Sequence, residues 1–482
     1  MLQKKLTWIT SILENLFFSG IFFGWASLSP ILANEGFFTC NSTIQSSTIE
    51  TEVTCKIQQD DNLSLVFTLT SSIGQFSVIV TGILLDRIGL WCTRTVLINT
   101  SVLCLVAVAV ATPSTSYLLF ISFPIVHSTG CALMASNLQI SKLFSKRRNL
   151  YVSLASGAFD SASLAFLIMN KIYFSGFDFS TIFAFYTVIY FLLNLRTFTL
   201  IPKEKVPILL PKGYKYGFKE LVCFKQSNEN EDINDDNNLT KIIDHENNET
   251  SNQNINKLND KLSYTYYFKQ GYFILAVISF SVTLFLAVFF ISNFNSFIST
   301  LMTESQKSQS LLEYYLTVFA FMQCAGILFC PFNGWLSEIY IKKFIKSGED
   351  VKSAEVKSAS VGLFIGSVCI VLMQTCTLFK SLKLQIFSMI MQVVGKVFVM
   401  SSANYFFCLY FPVELFGQLY GTVTAISAAV LLLQQPLFIL VNKVLEGNFF
   451  YLNLVLTVFS VLSLSLPLFI RWKLRGGKKF SI

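Results

Sequence analysis

A chain of 482 residues that is 53% hydrophobic and only 13% charged is too apolar for a soluble globule, in which charged residues make up about 25%. Forty-nine phenylalanines and a mean hydropathy of +0.57 agree. The net charge of +8 is not read as a nucleic-acid footprint until the charges are placed, because membrane proteins concentrate Lys and Arg in their cytoplasmic segments.

A membrane-spanning helix needs about 20 apolar residues. Six such stretches occur in the first part of the chain, at about 7–33, 62–85, 95–112, 117–142, 149–172 and 180–201. The first is too long for a signal-peptide core and lacks a clean cleavage site, so a helix is expected there. Residues 202–270 interrupt the pattern. They begin basic and Pro-containing, then become crowded with Asn, Asp and Glu. Too little apolar surface is present to offset chain entropy, so a disordered cytoplasmic linker is expected. Six further stretches follow, at about 271–300, 311–332, 358–379, 383–410, 416–445 and 449–471; only Lys380 to Lys383 divides the ninth from the tenth. The expectation is an all-α membrane protein of twelve transmembrane helices, with a half at 1–201, the linker, and a half at 271–482.

With the N-terminus inside, the short cytoplasmic segments hold eighteen Lys and Arg. The outside segments hold six: Lys56, Lys171, Lys307, Lys380, Lys383 and Lys443. The positive-inside rule then predicts both termini in the cytoplasm. The first outside loop carries Asn41-Ser42-Thr43, a glycosylation acceptor pattern. Asn62-Leu63-Ser64 also matches but sits too near the membrane. The same loop holds Cys40 and Cys55, two of the 11 cysteines and the only two exposed to an oxidising side. A disulfide between them is expected, constraining the loop by about 3 kcal/mol in chain-entropy terms; two free thiols are the alternative. The remaining cysteines lack metal-ligand spacing.

Enzyme signatures are absent. The two histidines are His127 and His245, and neither a nucleotide-cradling G-x-x-x-x-G-K-[ST] loop nor a G-x-S-x-G turn occurs. No cofactor or metal is expected, and a primary pump is disfavoured. Facilitated or ion-coupled movement remains.

The segment between the second and third spans reads Gly82-Ile83-Leu84-Leu85-Asp86-Arg87-Ile88-Gly89, with Arg94 five residues on. This G-x-x-x-D-R-x-G pattern resembles the cytoplasmic loop motif of the major facilitator superfamily, whose six-plus-six layout the chain shares. Gly82 would let two helices approach closely, while Asp86 would pair with basic groups across the half-to-half interface and break that pairing as the halves rock. Arg87 and Arg94 join this expected gate. A degenerate copy, Asn333-Gly334-Trp335-Leu336-Ser337-Glu338, is read after the eighth span. Its placement supports an internal repeat.

Glu14-Asn15-Leu16-Phe17-Phe18-Ser19-Gly20, Asn34-Glu35-Gly36-Phe37, Asn137-Leu138-Gln139-Ile140 and Gly157-Ala158-Phe159-Asp160-Ser161 look like the solute carrier 43 family. That family contains facilitators of large neutral amino acids and of nucleobases. The Asn137 and Gly157 stretches, with Pro211 to Gly217 and Pro331 to Gly334, are more similar to the nucleobase branch. The first span and Leu433 to Pro436 look equally like the amino-acid branch. The resemblance implies sodium-independent facilitated diffusion.

Ionisable groups at membrane depth are costly and usually face a cavity. Asp160 lies about 11 residues into the fifth span, or ~16 Å at 1.5 Å per residue, near mid-bilayer. Lys396 is similarly deep in the tenth span, on a stripe with Gln392, Met400 and Asn404. Glu14 sits two turns into the first. These groups either satisfy one another in a packing network or contact substrate and gate the cavity. Lys396 lacks the planar fork that would bind a carboxylate bidentately. Neutral amides suit a purine base, which offers donors and acceptors along its edges and a flat face for stacking. On the helices that line the cavity in the resembled superfamily, the candidates are Asn137, Gln139, Asn295, Gln323, Gln392 and Asn404, with Trp25, just past Gly20-x-x-x-Gly24, as a stacking group. For each amide, interhelical hydrogen bonding is the competing role.

The expected function is facilitative transport of purine nucleobases across the plasma membrane by alternating access. The alternative is transport of large neutral amino acids, for which Lys396 and Asp160 would hold carboxylate and ammonium. A non-transporting scaffold is the rival of a different class. The expected partners are a small-molecule substrate and the bilayer, with no nucleic acid, for a monomeric carrier.

Overall fold

The computed structural model describes residues 2–39, 49–141, 143–144, 148–203, 206, 216–217, 264–302, 309–412, 415–445 and 447–475. Among them no strand occurs. Eleven helices are long and apolar enough to cross a membrane, and a bent pair makes a twelfth crossing. In chain order they are α1 (Gln3–Ser19 with Ile21–Asn34), α2 (Gln58–Leu85), α3 (Leu90–Ala109), α4 (Leu118–Ile140), α5 (Leu150–Phe174) and α6 (Phe179–Leu200). The second six are α7 (Gly271–Leu301), α8 (Ser310–Lys346), α9 (Val351–Cys376), α10 (Leu382–Tyr410), α11 (Phe416–Val444) and α12 (Phe450–Lys473). An even number of crossings brings both termini to one end of the bundle, called here the terminal end.

The bend in α1 is 52° and falls at Gly20, where a π-helical turn over Asn15–Ser19 gives way to a 3-10 turn over Ile21–Gly24, and the backbone packs closely there. A Cβ on Gly20 would lie 2.0 Å from the Phe159 carbonyl oxygen of α5, and one on Gly24 would lie 2.9 Å from that of Ser163. The Gly20-x-x-x-Gly24 pattern is therefore a helix-contact pattern, as its spacing suggests. The narrow division between α9 and α10 is also real. The Gln385 amide donates to the Cys376 carbonyl (3.2 Å) and the Phe379 carbonyl (3.1 Å), occupying acceptors that a helix end leaves open.

Three expected loops are helical instead. The helix that contains α2 runs from Ile49 through Arg87, so residues 49–61, expected in the outside loop, are helical, and the Gly82 motif turns only at Ile88–Gly89, where Gly89 takes a positive φ of 82°. The α8 helix continues to Lys346, placing Asn333–Glu338 inside it. Asn333 is buried there and donates to the hydroxyls of Ser401 and Ser402 on α10. Hydropathy finds only the membrane-embedded part of such helices; their polar ends continue because the backbone hydrogen-bond ladder does.

Most of the expected linker lies outside the described residues. Its start does not behave as a free chain. The Lys203 carbonyl accepts from Leu90 N–H (3.1 Å), Gln3 donates to the Tyr216 carbonyl (2.7 Å), and Ile201, Val206 and Tyr216 pack with Leu85, Leu90, Ile140 and Leu143. Asn41 and Cys40 lie outside the described residues, whereas Cys55 is disulfide-bonded.

The two sets of six helices meet along α2–α11 and along α5 with α8 and α10. Gly82 is at the first seam, where a Cβ would lie 3.0 Å from the Gly417 carbonyl oxygen of α11; the expected close approach is present. The side chain of Asp86 lies outside what is described, and Arg87 is exposed.

Candidate substrate-binding cavity

Among the described residues, two fully buried charged clusters lie inside the apolar bundle, and they differ in kind. The first belongs wholly to the first six helices. Glu14 of α1 accepts through Oε2 from Arg94 of α3 (2.6 Å) and Arg196 of α6 (2.5 Å). Its Oε1 accepts from Asn137 of α4 (3.0 Å), which also donates to Asn15 (2.8 Å). Arg196 further donates to Ser11 (2.6 Å), Thr10 (3.0 Å) and Asn137 Oδ1 (3.1 Å). Arg94 donates to Ser136 (2.5 Å) and Thr197 (3.2 Å). One carboxylate thus joins two guanidiniums, and the desolvation of each charge is offset by charge-assisted hydrogen bonds.

This arrangement corrects two expectations about position. Arg94, expected at the gate between the halves, is 1% exposed and ties α3 to α1 within the first six helices. Asn137 is absent from the lining of the cavity described below and takes the competing interhelical role in the same network. Arg196 was not singled out from sequence, being a lone cation in an apolar span. The signal was available, because Glu14 at membrane depth requires a cationic partner.

The second cluster spans both sets of helices. A cavity of about 530 Å³, counting its open side, is lined by Phe23, Gln75, Val78, Cys131, Met134, Ala135, Ser156, Phe159 and Asp160 from the first six helices. Phe280, Leu284, Met400, Asn404 and Tyr420 line it from the second six. It lies between the bundle centre and the terminal end. Toward the opposite end the Trp25–Asn34 segment of α1 packs against α7 and α8, and Asn442 of α11 donates to Asp61 of α2 (3.4 Å).

Asp160 and Lys396 form the electrostatic centre. Lys396 Nζ is 3.6 Å from Asp160 Oδ1, donates to the Asp160 carbonyl oxygen at 3.3 Å, and sits 3.2 Å from the centroid of the Phe23 ring. The backbone explains why that carbonyl is available. At residues 161–163 α5 tightens: Ala162 N–H bonds Phe159 O and Leu164 N–H bonds Ser161 O, both at 3.3 Å. Leu164 therefore does not bond Asp160, whose oxygen turns to the lysine. The ion pair links α5 to α10, one helix from each set of six.

Around this pair, Asn404 donates to Ser156 of α5 (3.2 Å) and accepts from Tyr420 of α11 (3.2 Å). Gln323 donates to Gln392 (2.6 Å); both are buried, one turn of α10 beyond Lys396, and they do not line the cavity. The predicted Asp160, Lys396 and Asn404 are thus brought together. Trp25 is instead buried among the first six helices, its ring 5.2 Å from that of Phe67. Gln139 is half-buried and outside the cavity lining, and Asn295 is exposed. Gln75, Tyr420 and the phenylalanines of the lining were not named from sequence. Among 49 phenylalanines nothing in local sequence distinguishes Phe23 or Phe159 from a lipid-facing ring. Among the described residues no cluster of His, Cys, Asp or Glu could hold a metal ion.

The chain matches the Major Facilitator Superfamily over residues 21–434. It is 29% identical to equilibrative nucleobase transporter 1 of Bos taurus over 468 residues, covering 96% of this chain and 94% of that protein. It is 26% identical to large neutral amino acids transporter small subunit 3 of Homo sapiens, covering 95% and 91%. These are the two kinds of transporter that the sequence resemblance anticipates. Among solved structures it superposes on the proton:xylose symporter XylE bound to 6-bromo-6-deoxy-D-glucose, with a TM-score of 0.62, 13% identity, and coverage of 97% and 95%. That likeness is one of fold. The match over most of its length, together with twelve helical crossings enclosing a central cavity, makes this chain a membrane transporter belonging to the Major Facilitator Superfamily.

Proposed function

We propose that the protein carries purine nucleobases across the plasma membrane by facilitated diffusion, with both termini in the cytoplasm and the two sets of six helices rocking about the central cavity. The observation that carries this reading is the chemistry of the cavity wall. Phe23, Phe159, Phe280, Leu284 and Met400 offer a flat, apolar enclosure, while Gln75, Asn404, Ser156 and Tyr420 supply neutral donors and acceptors. That combination suits an uncharged heteroaromatic ring. A carboxylate would need a free cation, yet the ammonium of Lys396 is engaged by Asp160 and the Phe23 ring. The greater identity to the nucleobase transporter supports the same substrate class.

One observation favours a second reading. The Asp160–Lys396 pair is the charge complement of a zwitterion, so an amino acid that parted the pair would find an acceptor for its ammonium and a donor for its carboxylate. Uptake of radiolabelled adenine into cells lacking their own nucleobase carriers, challenged with excess leucine, separates the two. Saturable adenine uptake indifferent to leucine is expected; entry of labelled leucine with no adenine uptake would assign the amino-acid substrate.

A further inference from the structure

The ion pair at the cavity leaves half of its carboxylate unused. Asp160 is 3% exposed. Its Oδ1 faces Lys396 at 3.6 Å, and the same ammonium takes the Asp160 carbonyl at 3.3 Å. The other oxygen, Oδ2, is buried without a hydrogen-bond partner on a residue that lines the cavity. An ionised carboxylate can only accept, and a buried acceptor left unmet is costly. By contrast, the Asn404 amide is already engaged with Ser156 and Tyr420. The cavity wall therefore holds an unspent, acceptor-only group that calls for a donor on the occupant.

The chemistry of the purines narrows which donor this is. Adenine carries an amino group at position 6 and hypoxanthine an oxo group, so a carboxylate aimed at that edge would accept one and repel the other. An amide such as Gln75, with donor and acceptor together, tolerates both. The donor that adenine, guanine and hypoxanthine share is the imidazole-ring N–H, held on N9 or N7. We infer that Asp160 Oδ2 accepts this N–H, so that the carrier admits free bases and rejects purines substituted on the imidazole ring. Nucleosides fall in the rejected class because the sugar occupies N9. The inference rests on the nucleobase reading above and specifies how that site selects among purines.

The test is competition against radiolabelled adenine uptake by the unaltered carrier, so no variant has to fold. The competitors are hypoxanthine, 9-methyladenine, 7-methyladenine and N6-methyladenine. Hypoxanthine and N6-methyladenine, which keep the imidazole N–H, are expected to compete within about threefold of adenine. Both ring-methylated bases are expected to compete on the order of 100-fold or more weakly, since a site built for an N–H rejects analogues lacking it. N6-methyladenine is the control for size. Its losing as much as 9-methyladenine would assign the effect to bulk and overturn the inference. Competition by 9-methyladenine as strong as adenine's would overturn it too, with nucleobase transport left standing. Absence of adenine uptake altogether would remove both this inference and the function it refines.

Discussion

Replacing Glu14 by glutamine tests whether the buried cluster of the first six helices is a packing network or part of the transport machinery. The substitution preserves shape and one oxygen acceptor but removes the charge that two guanidiniums share, at 2.6 Å from Arg94 and 2.5 Å from Arg196. The net charge of the three groups rises from +1 to +2, with Arg94 and Arg196 both buried. Removing one partner from a buried ion pair costs about 3–5 kcal/mol. For a unit of roughly 200 residues, about 2–4 °C of melting temperature is lost per kcal/mol. Glu14→Gln is therefore expected to lower the melting midpoint of the detergent-solubilised carrier by roughly 6–20 °C. Arg196→Met should cost less, because Glu14 keeps Arg94 and Asn137 as partners. The double variant should be more stable than the sum of the singles, by a coupling of about 1 kcal/mol or more. Since no member of the cluster lines the cavity, the KM for adenine of surface-expressed Glu14→Gln should match the parent. A melting midpoint within about 1 °C of the parent, or a KM raised tenfold, would refute the reasoning.

Three further outcomes are expected. Lys396→Met keeps the apolar stem near Phe23 but strands the buried Asp160 carboxylate, so adenine uptake should fall at least about tenfold; pairing it with Asp160→Asn should restore surface abundance measured by biotinylation, and unimpaired uptake by the single variant would contradict the role given to the pair. Gly20→Ala would place a methyl 2.0 Å from a backbone oxygen and should abolish surface expression. Gly271→Ala, whose nearest neighbour is the Phe469 ring at 3.3 Å, should be tolerated. If Asn41 is glycosylated in an outside loop closed by Cys40 and Cys55, then Asn41→Gln should eliminate the mobility shift given by glycosidase and Asn62→Gln should not. Cys40→Ser and Cys55→Ser should lower the melting midpoint equally, and unequal effects would exclude that pairing.

Local sequence determined the number of crossings, the division into six and six, and the superfamily, because each depends on runs of about 20 apolar residues or on a contiguous motif such as Gly82–Gly89. It also identified Asp160, Lys396 and Glu14 as notable, because a charge at membrane depth is costly wherever it points. What each charge does was decided only by the tertiary structure. Glu14 and Asp160 look alike in sequence, yet one is enclosed by two arginines within a single half and the other faces a cavity across from α10. Arg94 sits in a recognisable loop motif but turns inward, because its partner lies 80 residues away on α1. Asn295 and Asn293 differ by two positions, and helix rotation alone exposes the first and buries the second. Partner identity is set by which helix faces meet, and with α4, α5, α10 and α11 brought together from distant parts of the chain, no local pattern records it.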